Sequence, residues 1–347
     1  MSKKAPSWAN RLLCLRNRFM SPEIETQDAE HETRTRAARR ISKTIIDTHR
    51  QLLLLPDLTP GELINSMLGD LVASCCEVHT TCTVTEVLSN ADIRSILPSL
   101  RQKCAEAEYQ LEAHWAEYIG NAKDRFEAES RLKQFPYHQN YTDLTRLEIS
   151  ALLSVADSLP RRIAFIGSGP LPLSSMFMLD LVNRWQHLRS GSKRHDEFST
   201  NTATILNIDH SRAAITSSSL MVSKLRNGRE TDSGIDVNDQ DLDTTSCGDL
   251  KFLCQEAAVS DLADFDTVFL AALVGQTKRE KEQLILRVVS KMTSGSMFVV
   301  RTSWGLRTCL YPEVDLATEA LAPRLKICSV VHPYNDVVNS VIVAQVR

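Results

Sequence analysis

The sequence lacks a hydrophobic run long enough to cross a membrane. Its longest apolar stretches, such as residues 45–55, are broken by Asp47, His49 and Arg50 and fall short of the roughly 20 residues that a span needs. Residues 1–20 carry charges throughout and lack the apolar core of a secretory signal. The 40 basic and 43 acidic side chains leave a net charge of −3, which offers no general attraction to polyanions. These absences predict a cytoplasmic protein without a nucleic-acid or membrane partner.

Metal-binding motifs are also missing. The nine cysteines include no Cys-x-x-Cys pair, and the nine histidines never stand four residues apart with the carboxylate partner of a zinc protease. Most cysteines have apolar neighbours, which favours buried free thiols over disulfides. The sequence therefore predicts no bound metal.

The chain does contain a strand, a glycine turn and a helix start in residues 161–180, RRIAFIGSGPLPLSSMFMLD. Residues 163–166 are apolar, as in a buried strand, and helical spacing begins after the turn. The turn consists of Gly167, Ser168, Gly169 and Pro170. Glycine lets the main chain pass close to a ligand, and a helix start presents unpaired N–H groups. The pattern indicates a nucleotide site, although the third glycine of the dinucleotide fingerprint is missing and an ordinary α/β turn would look similar.

A second signal is the acid at the end of the next predicted strand. Residues 203–209 read ATILNID, and Asp209 stands where such folds hold the two ribose hydroxyls. The polar stretch 189–201 predicts a surface loop that lengthens the interval from the turn. Pro170 and Pro172 remove N–H groups that a pyrophosphate would use. A nucleoside without phosphates is favoured over NAD, and S-adenosylmethionine meets that description.

The helical spacing of apolar residues dominates the first part of the chain. Residues 1–30 are mostly polar and are predicted to form a flexible arm. Residues 31–150 are predicted to form an all-α domain, in which 91–97 and 98–119 are expected to be separate helical segments.

Strands and helices alternate from residue 151 onward. This alternation is typical of an α/β fold with a doubly wound, mostly parallel sheet. Strands are expected near residues 163–166, 204–208, 251–254, 267–271, 296–301, 326–331 and 340–346. The order ends like the seven-strand sheet of class I methyltransferases, so residues 151–347 are predicted to be a Rossmann-like S-adenosylmethionine-binding domain. Residues 227–249 are acidic, lack an apolar period and are predicted to be a disordered insertion.

Further candidate ligands follow the predicted strands, at the edge where open α/β sheets bind small molecules. Gln255 stands where a polar side chain often meets the adenine. Ala272, in LAALVG, is small enough for the thioether part of the ligand to approach the main chain. Arg301 and Arg307, in VVRTSWGLR, are candidates to grip an amino-acid carboxylate bidentately, with a surface salt bridge as the alternative.

Five segments, in order, resemble the nicotianamine synthase family. They are CAEAEYQLEAHWA at 104–116, FPYHQNY at 135–141, FIGSGPLPLSS at 165–175, LAALVG at 270–275 and MFVVRTSWGLRTCLYPEVD at 297–315. The resemblance covers most of residues 104–346. The chain departs from the family at His138, where an aromatic residue is common, and at the insertion 227–249.

The resemblance also assigns roles on the predicted helix through residue 112. Glu108 and Glu112 stand four residues apart and therefore share one helix face. An acidic stripe of this kind usually faces solvent. The resemblance implies instead that Glu112 is the catalytic glutamate, with Glu108 as the reserve candidate, and that Tyr141 contacts bound substrate.

The activity that the resemblance implies is the synthesis of nicotianamine, a metal chelator. Three molecules of S-adenosylmethionine would each give up an aminobutyrate group, and three molecules of methylthioadenosine would leave. S-adenosylmethionine is then a small-molecule substrate, and no metal is required. Two alternatives use the same ligand: a small-molecule methyltransferase and a non-catalytic S-adenosylmethionine-binding regulator. A homo-oligomer is compatible with the sequence.

Overall fold

The computed structural model describes residues 22–190, 202–226, 244–247, 249–275 and 277–347. Three predictions fall partly or wholly outside them: the first part of the arm, the surface loop at 189–201 from residue 191 onward, and residues 227–243 of the acidic insertion. Among the described residues, no helix is both long and apolar enough to span a membrane.

The described chain begins with α-helices. They are α1 (Pro22–Leu54), α2 (Glu62–Cys76), α3 (Thr81–Ser89), α4 (Ala91–Gly120), α5 (Arg125–Lys133) and α6 (His138–Leu153). The prediction of a flexible arm is wrong for residues 22–30, which belong to α1. A helix can begin at Pro22 because the N–H that proline lacks would be unpaired at that position anyway.

The helix α4 runs without a break through Pro98, where the sequence predicts two segments. Asn90 caps its start by accepting hydrogen bonds from the N–H groups of Asp92 and Ile93. Proline inside a helix costs about 3 kcal/mol because it removes a hydrogen bond and crowds the preceding turn. The buried face continues across it, with Ile93 and Leu100 fully covered. Tertiary burial therefore outweighs the local cost.

The second half of the chain is an eight-stranded sheet among the described residues. Its strands are β1 (Arg162–Ile166), β2 (Thr204–Asp209), β3 (Thr244–Cys247), β4 (Leu250–Cys254), β5 (Thr267–Leu270), β6 (Met297–Thr302), β7 (Leu325–Val331) and β8 (Ser340–Val346). The spatial order is β3-β4-β2-β1-β5-β6-β8-β7. The central strands are parallel, and β8 runs antiparallel to both β6 and β7. Without β3, this is the predicted seven-strand order of class I methyltransferases.

The strand β3 pairs antiparallel with β4 at the sheet edge. It lies inside the insertion that the sequence predicts to be disordered, so that prediction is wrong for residues 244–247. Four residues, TTSC, form it. A strand this short and polar has no buried apolar pattern to reveal it, and it forms because β4 offers an unpaired edge.

Helices cover both faces of the sheet. One face carries α6, α7 (Leu173–Ser190) and α8 (Arg212–Arg226), and the other carries α9 (Lys278–Val289). Connections of this kind bring the carboxyl ends of the parallel strands to one edge, which faces the helical domain. The 3₁₀ helix Gly305–Cys309 after β6 inserts Leu306 into the core of the helical domain, so the two domains share buried surface.

The cysteines whose side chains the structure describes are free thiols. Four of them, Cys75, Cys76, Cys104 and Cys309, are buried, as the sequence predicts for thiols with apolar neighbours. Cys82 is exposed, and Cys254 and Cys328 are partly exposed.

Candidate active site

The predicted glycine turn lies at the carboxyl end of β1. Gly167 and Gly169 have positive φ angles of 75° and 65°, which side-chain-bearing residues rarely adopt. A Cβ on Gly167 would lie 2.2 Å from Val274 Cγ2, so the turn packs directly against the loop after β5. Both glycines and Ser168 line a large cavity. Pro170 is buried and lies between Gly169 and Leu171, which both line the cavity, and its assignment to the binding site stays a prediction.

Asp209 is the last residue of β2, as predicted, and its surface is only 9% exposed. Its Oδ2 accepts a hydrogen bond from the N–H of Gly169 at 3.0 Å, and its Oδ1 accepts one from the N–H of Ser211 at 2.9 Å. The acid therefore braces the glycine turn. Each carboxylate oxygen can accept a further bond, and contact with ribose hydroxyls stays a prediction.

Two more candidates line the cavity at neighbouring strand ends. Gln255 follows β4, and its N–H donates to the carbonyl of Asp209 at 2.9 Å. Ala272 follows β5, and its carbonyl accepts a hydrogen bond from Lys281 Nζ at 2.5 Å. Burial lowers the pKa of Lys281 to about 7. These contacts fix the main chain on both sides of the glycine turn.

The cavity lies between the carboxyl edge of the sheet and the helices α2, α4 and α6. Its volume is about 1210 Å³, above the range of roughly 300 to 1,000 Å³ for small-molecule sites. Seven carboxylates and two arginines line it: Glu108, Glu112, Asp143, Asp209, Glu256, Glu280 and Asp336, with Arg287 and Arg301. Such a lining favours a cationic ligand. Within the described ranges, no three His, Cys, Asp or Glu side chains are grouped as a metal site, and the absence of a metal stays a prediction.

Glu112 lies where α4 meets the glycine turn. Its Oε1 accepts a hydrogen bond from the hydroxyl of Tyr141 at 2.5 Å. A Cβ on Gly169 would lie 2.6 Å from its Oε2, so the carboxylate faces the turn. Burial and the nearby Glu108 carboxylate raise the pKa of Glu112 to about 8, against the effect of the Tyr141 hydrogen bond. The fold thus brings the two residues that the family resemblance singled out into contact.

Glu108 is paired in the same way, one helical turn earlier. Its Oε2 accepts a hydrogen bond from the hydroxyl of Tyr311, which follows the 3₁₀ helix. Burial raises the pKa of Glu108. Burial and the Glu108 carboxylate together raise the pKa of Tyr311, so its hydroxyl keeps the proton and remains the donor. The cavity therefore contains two carboxylate–tyrosine pairs side by side.

Arg301 lies on β6 and lines the cavity, but its guanidinium fork is occupied. Nε and Nη2 donate to the two carboxylate oxygens of Glu148 at 2.7 and 3.1 Å, and Nη2 also donates to Ser174 Oγ at 2.6 Å. Glu148 has no exposed surface and needs this partner. Nε and Nη2 already form a bidentate pair with Glu148. The prediction that Arg301 binds a substrate carboxylate bidentately through these two nitrogens is therefore wrong.

Arg307 is not part of the cavity lining. Its guanidinium donates to the main-chain carbonyls of Cys76, Asn335 and Val337 at 3.1, 2.7 and 3.2 Å, and only 3% of the residue is exposed. The prediction that it binds substrate is wrong. Its side chain instead joins the end of α2 to the loop before β8.

Three residues of the site were not singled out from the sequence: Tyr311, Glu148 and Ser174. Tyr311 and Ser174 lie inside two of the family-like segments, so the resemblance covers them without pointing to them. Glu148 carries no sequence signal, because its partner Arg301 lies 153 residues away.

Fold and site together define a class of protein. The class I methyltransferase strand order, the glycine turn after β1 and the acid at the tip of β2 are the parts of a nucleoside site. An acidic cavity beside this turn, with a partly buried glutamate–tyrosine pair, suits a cationic nucleoside substrate. The chain is an S-adenosylmethionine-dependent transferase.

The family follows from comparison with known proteins. Residues 34–347 match the model of the family described as nicotianamine synthase protein, so the chain belongs to the nicotianamine synthase family. Nicotianamine synthase 1 of Arabidopsis thaliana is 30% identical over 305 residues, which are 88% of this chain and 83% of the relative. Nicotianamine synthase 9 of Hordeum vulgare is 32% identical over 292 residues, or 84% of this chain and 74% of the relative.

Solved structures show the same fold. MtNAS in complex with MTA and tNA aligns with a TM-score of 0.62 at 16% identity and covers 92% of this chain and 98% of its own. A mutant of MtNAS in complex with S-adenosylmethionine aligns with a TM-score of 0.61 at 17% identity and covers 88% of this chain and 97% of its own. The helical domain and the sheet domain are therefore shared as one arrangement.

Proposed function

We propose that the chain makes nicotianamine from three molecules of S-adenosylmethionine, transferring an aminobutyrate group from each and releasing three molecules of methylthioadenosine. Membership of the family and the acidic cavity support this proposal. The observation that carries it is the position of Glu112, whose carboxylate lies between the hydroxyl of Tyr141 and the glycine turn at Gly169. A base in that place meets the reacting end of a substrate whose nucleoside lies along the sheet edge.

The nucleoside is proposed to lie on the turn formed by Gly167, Ser168 and Gly169. Asp209 is then beside the ribose, where its remaining lone pairs accept hydrogen bonds from the two hydroxyl groups. Gln255 is beside the adenine, and Ala272 leaves room for the thioether part. In this arrangement the sulfonium lies near Glu112, because the Glu112 carboxylate lies against Gly169 of the proposed nucleoside turn.

The nucleophile is the α-amine of a second substrate, which is mostly protonated at neutral pH. Glu112 removes the proton. Its pKa of about 8 is close to that of an α-amine, so the transfer costs little free energy. The Tyr141 hydroxyl, which burial keeps protonated by raising its pKa, holds Glu112 in position.

In two steps the deprotonated nitrogen uses its lone pair to form a bond to the aminobutyrate carbon attached to the sulfur of another molecule, and in the third step a nitrogen of the chain attacks the corresponding carbon of the same chain and closes the azetidine ring. The same bond breaks in every step. It is the carbon–sulfur bond, its electron pair goes to sulfur, and neutral methylthioadenosine leaves. The carbons attached to a sulfonium are all electrophilic, so the carbon that meets the amine in line at about 3 to 3.5 Å decides the product. The sulfonium is already an activated leaving group, and the proposed reaction has no step for a metal.

Product analysis of the unaltered chain tests the proposal. After incubation with S-adenosylmethionine, mass spectrometry should find methylthioadenosine and nicotianamine in a ratio of about three, as the stoichiometry of the proposed reaction requires. S-adenosylhomocysteine as the spent substrate would show a methyltransferase instead. Calorimetric binding of S-adenosylmethionine without any product over a long incubation would show a non-catalytic binding protein.

A further inference from the structure

The buried amine of Lys281 takes no part in the proposed reaction. Lys281 lies near the start of α9, and only 2% of the residue is exposed. Within the described ranges it forms no ion pair. Burial lowers its pKa to about 7, because no nearby carboxylate offsets the loss of water. The unfolded chain would hold the proton up to about pH 10.5, so this amine costs folding stability at neutral pH.

The loop after β5, residues 271–275, is seated on Lys281 at two points. The Nζ atom of Lys281 donates a hydrogen bond to the carbonyl of Ala272 at 2.5 Å. At the end of the loop, Gly275 has a φ of 81°, and a Cβ on it would lie 3.0 Å from Lys281 Cα. The loop therefore passes directly against the main chain of α9 at this residue, and both the side chain and the main chain of Lys281 hold it.

The same loop packs against the glycine turn. A Cβ on Gly167 would lie 2.2 Å from Val274 Cγ2 and 3.3 Å from Ala271 Cβ. Residues 271–275 all line the cavity, whereas Lys281 does not. Lys281 is therefore separated from the proposed nucleoside by one layer of main chain, and it can act on the nucleoside only through this loop.

The hydrogen bond also sets the orientation of the peptide between Ala272 and Leu273. This peptide is trans, so its C=O and N–H groups point in opposite directions. Because the C=O points to Lys281, the N–H of Leu273 points away from that amine. The N–H has no acceptor among the described residues, and Leu273 lines the cavity. It is therefore a donor that a ligand can use.

We propose that Lys281 is a positioning residue for the nucleoside: through the carbonyl of Ala272 it fixes the loop after β5 and turns the N–H of Leu273 toward the ligand. The inference rests on the proposed function, because it takes the nucleoside to lie along the glycine turn. Methionine could fill the same space without the cost of burying an amine. The hydrogen bond to Ala272 is thus the contribution that is specific to lysine.

Lys281→Met tests this role, because it keeps the length of the side chain and removes the donor. Calorimetry should show that methylthioadenosine binds roughly 3- to 10-fold more weakly, the effect of losing one ordinary hydrogen bond. S-adenosylmethionine, which shares the nucleoside, should weaken by the same factor. The unfolding temperature should stay unchanged or rise, since the buried amine is gone. Lys291→Met, at an exposed lysine just after α9, is the matched control and should change neither quantity.

Gly275→Ala tests the second contact and leaves the amine in place. The new Cβ would meet the main chain of Lys281 and should displace the loop, so methylthioadenosine should again bind more weakly. Gly295→Ala is the control, because its φ is 91° and no atom lies within 4 Å of the new Cβ. Both glycine variants should lose similar stability, but Gly295→Ala should keep the affinity of the unaltered chain.

Two results for a folded Lys281→Met would overturn the proposal. Unchanged dissociation constants would show that the hydrogen bond does not position the nucleoside, and weaker binding together with a lower unfolding temperature would give Lys281 a structural role. If Lys281→Met does not fold, the glycine variants decide, and equal affinity in both would overturn the proposal. Failure of the unaltered chain to form methylthioadenosine would instead reject the proposed function, while the binding measurements would still decide the role of Lys281.

Discussion

The cavity has two ends, one at the sheet edge and one along α4, and they are built by different means. At the sheet edge, main-chain geometry makes the site: two glycines with positive φ, the N–H of Gly169 and the end of β2. Along α4, paired side chains make it, and each carboxylate is held by a tyrosine from a distant element. Glu112 touches both ends, because it bonds Tyr141 and lies against Gly169.

The sheet edge is suited to substrate binding, and the side chains along α4 are suited to the chemical step. A main-chain cradle is rigid and carries little charge, so it suits the constant nucleoside part of each substrate molecule. Buried side chains have shifted pKa values and can exchange protons, so they suit the amines that change during the reaction. Variants at the sheet edge should therefore affect substrate affinity, and variants along α4 should affect turnover.

The largest loss of folding stability is expected from Glu148→Ala, which removes the partner of Arg301 in the cavity wall. The change leaves Arg301 buried without its partner, and breaking a buried pair costs about 3 to 5 kcal/mol. Urea unfolding measures the loss. A double variant with Met at both positions removes both charges and should recover most of the stability. A single variant as stable as the parent would show that the pair has no structural role.

The next effect is expected in substrate affinity from Asp209→Ala. Loss of hydrogen bonds between the carboxylate and the ribose should weaken S-adenosylmethionine binding by about 1.5 to 3 kcal/mol. Isothermal calorimetry measures it. Asp209→Asn keeps an oxygen that can accept the N–H of Gly169, so it separates bracing of the turn from binding of the ribose. An unchanged dissociation constant for Asp209→Ala would move the nucleoside elsewhere.

Gly169→Ala is expected to lose less stability than Glu148→Ala and to lose methylthioadenosine formation as well. The positive φ of 65° costs a side-chain-bearing residue about 1 to 2 kcal/mol, and the new Cβ meets Glu112 Oε2. Gly305→Ala is the control, because its φ is 61° and no atom lies within 4 Å of the new Cβ. Both variants should lose similar stability, but only Gly169→Ala should lose methylthioadenosine formation. Equal rates of methylthioadenosine formation in the two variants would show that the contact between Gly169 and Glu112 does not matter for the reaction.

The pH dependence of stability tests the state of Glu112. The pKa of Glu112 is about 8 in the folded chain and near 4.5 in the unfolded chain, so the folded state holds a proton that the unfolded state releases. Stability attributable to this group is present at low pH and falls as the pH rises from about 4.5 through 8. Glu112→Gln should therefore unfold at a higher temperature than the parent at pH 9. A lower unfolding temperature at that pH would contradict the buried, proton-binding state of Glu112.

The sheet could be predicted because its strands are short apolar runs between polar breaks. Each of the seven predicted strands matches an observed one to within one residue at either end. The errors occur where local rules and tertiary contacts disagree. Pro98 favours a break by local rules, yet burial of Leu100 keeps α4 continuous. The strand β3 has no apolar pattern and exists only because β4 pairs with it.

The site, too, has a part that could be predicted from the sequence and a part that could not. The glycine turn and Asp209 are contiguous patterns with a mechanical reason, so the sequence reveals them. The side-chain pairs join residues 29, 153 and 203 positions apart, and no spacing rule links such positions. Arg301 illustrates the consequence: its place on a strand was predictable, whereas its commitment to Glu148 depends on the packing of α6 against the sheet.

The measurement that tests the account most directly compares S-adenosylmethionine binding and methylthioadenosine formation in Glu112→Gln and in the unaltered chain. Glutamine preserves the shape of the side chain but cannot act as the base. The account predicts that the rate falls by roughly 10² to 10⁴ while the dissociation constant for S-adenosylmethionine stays nearly unchanged. A variant that forms methylthioadenosine at the normal rate would contradict Glu112 as the base, and a joint loss of binding and rate would make it a counter-charge for the substrate.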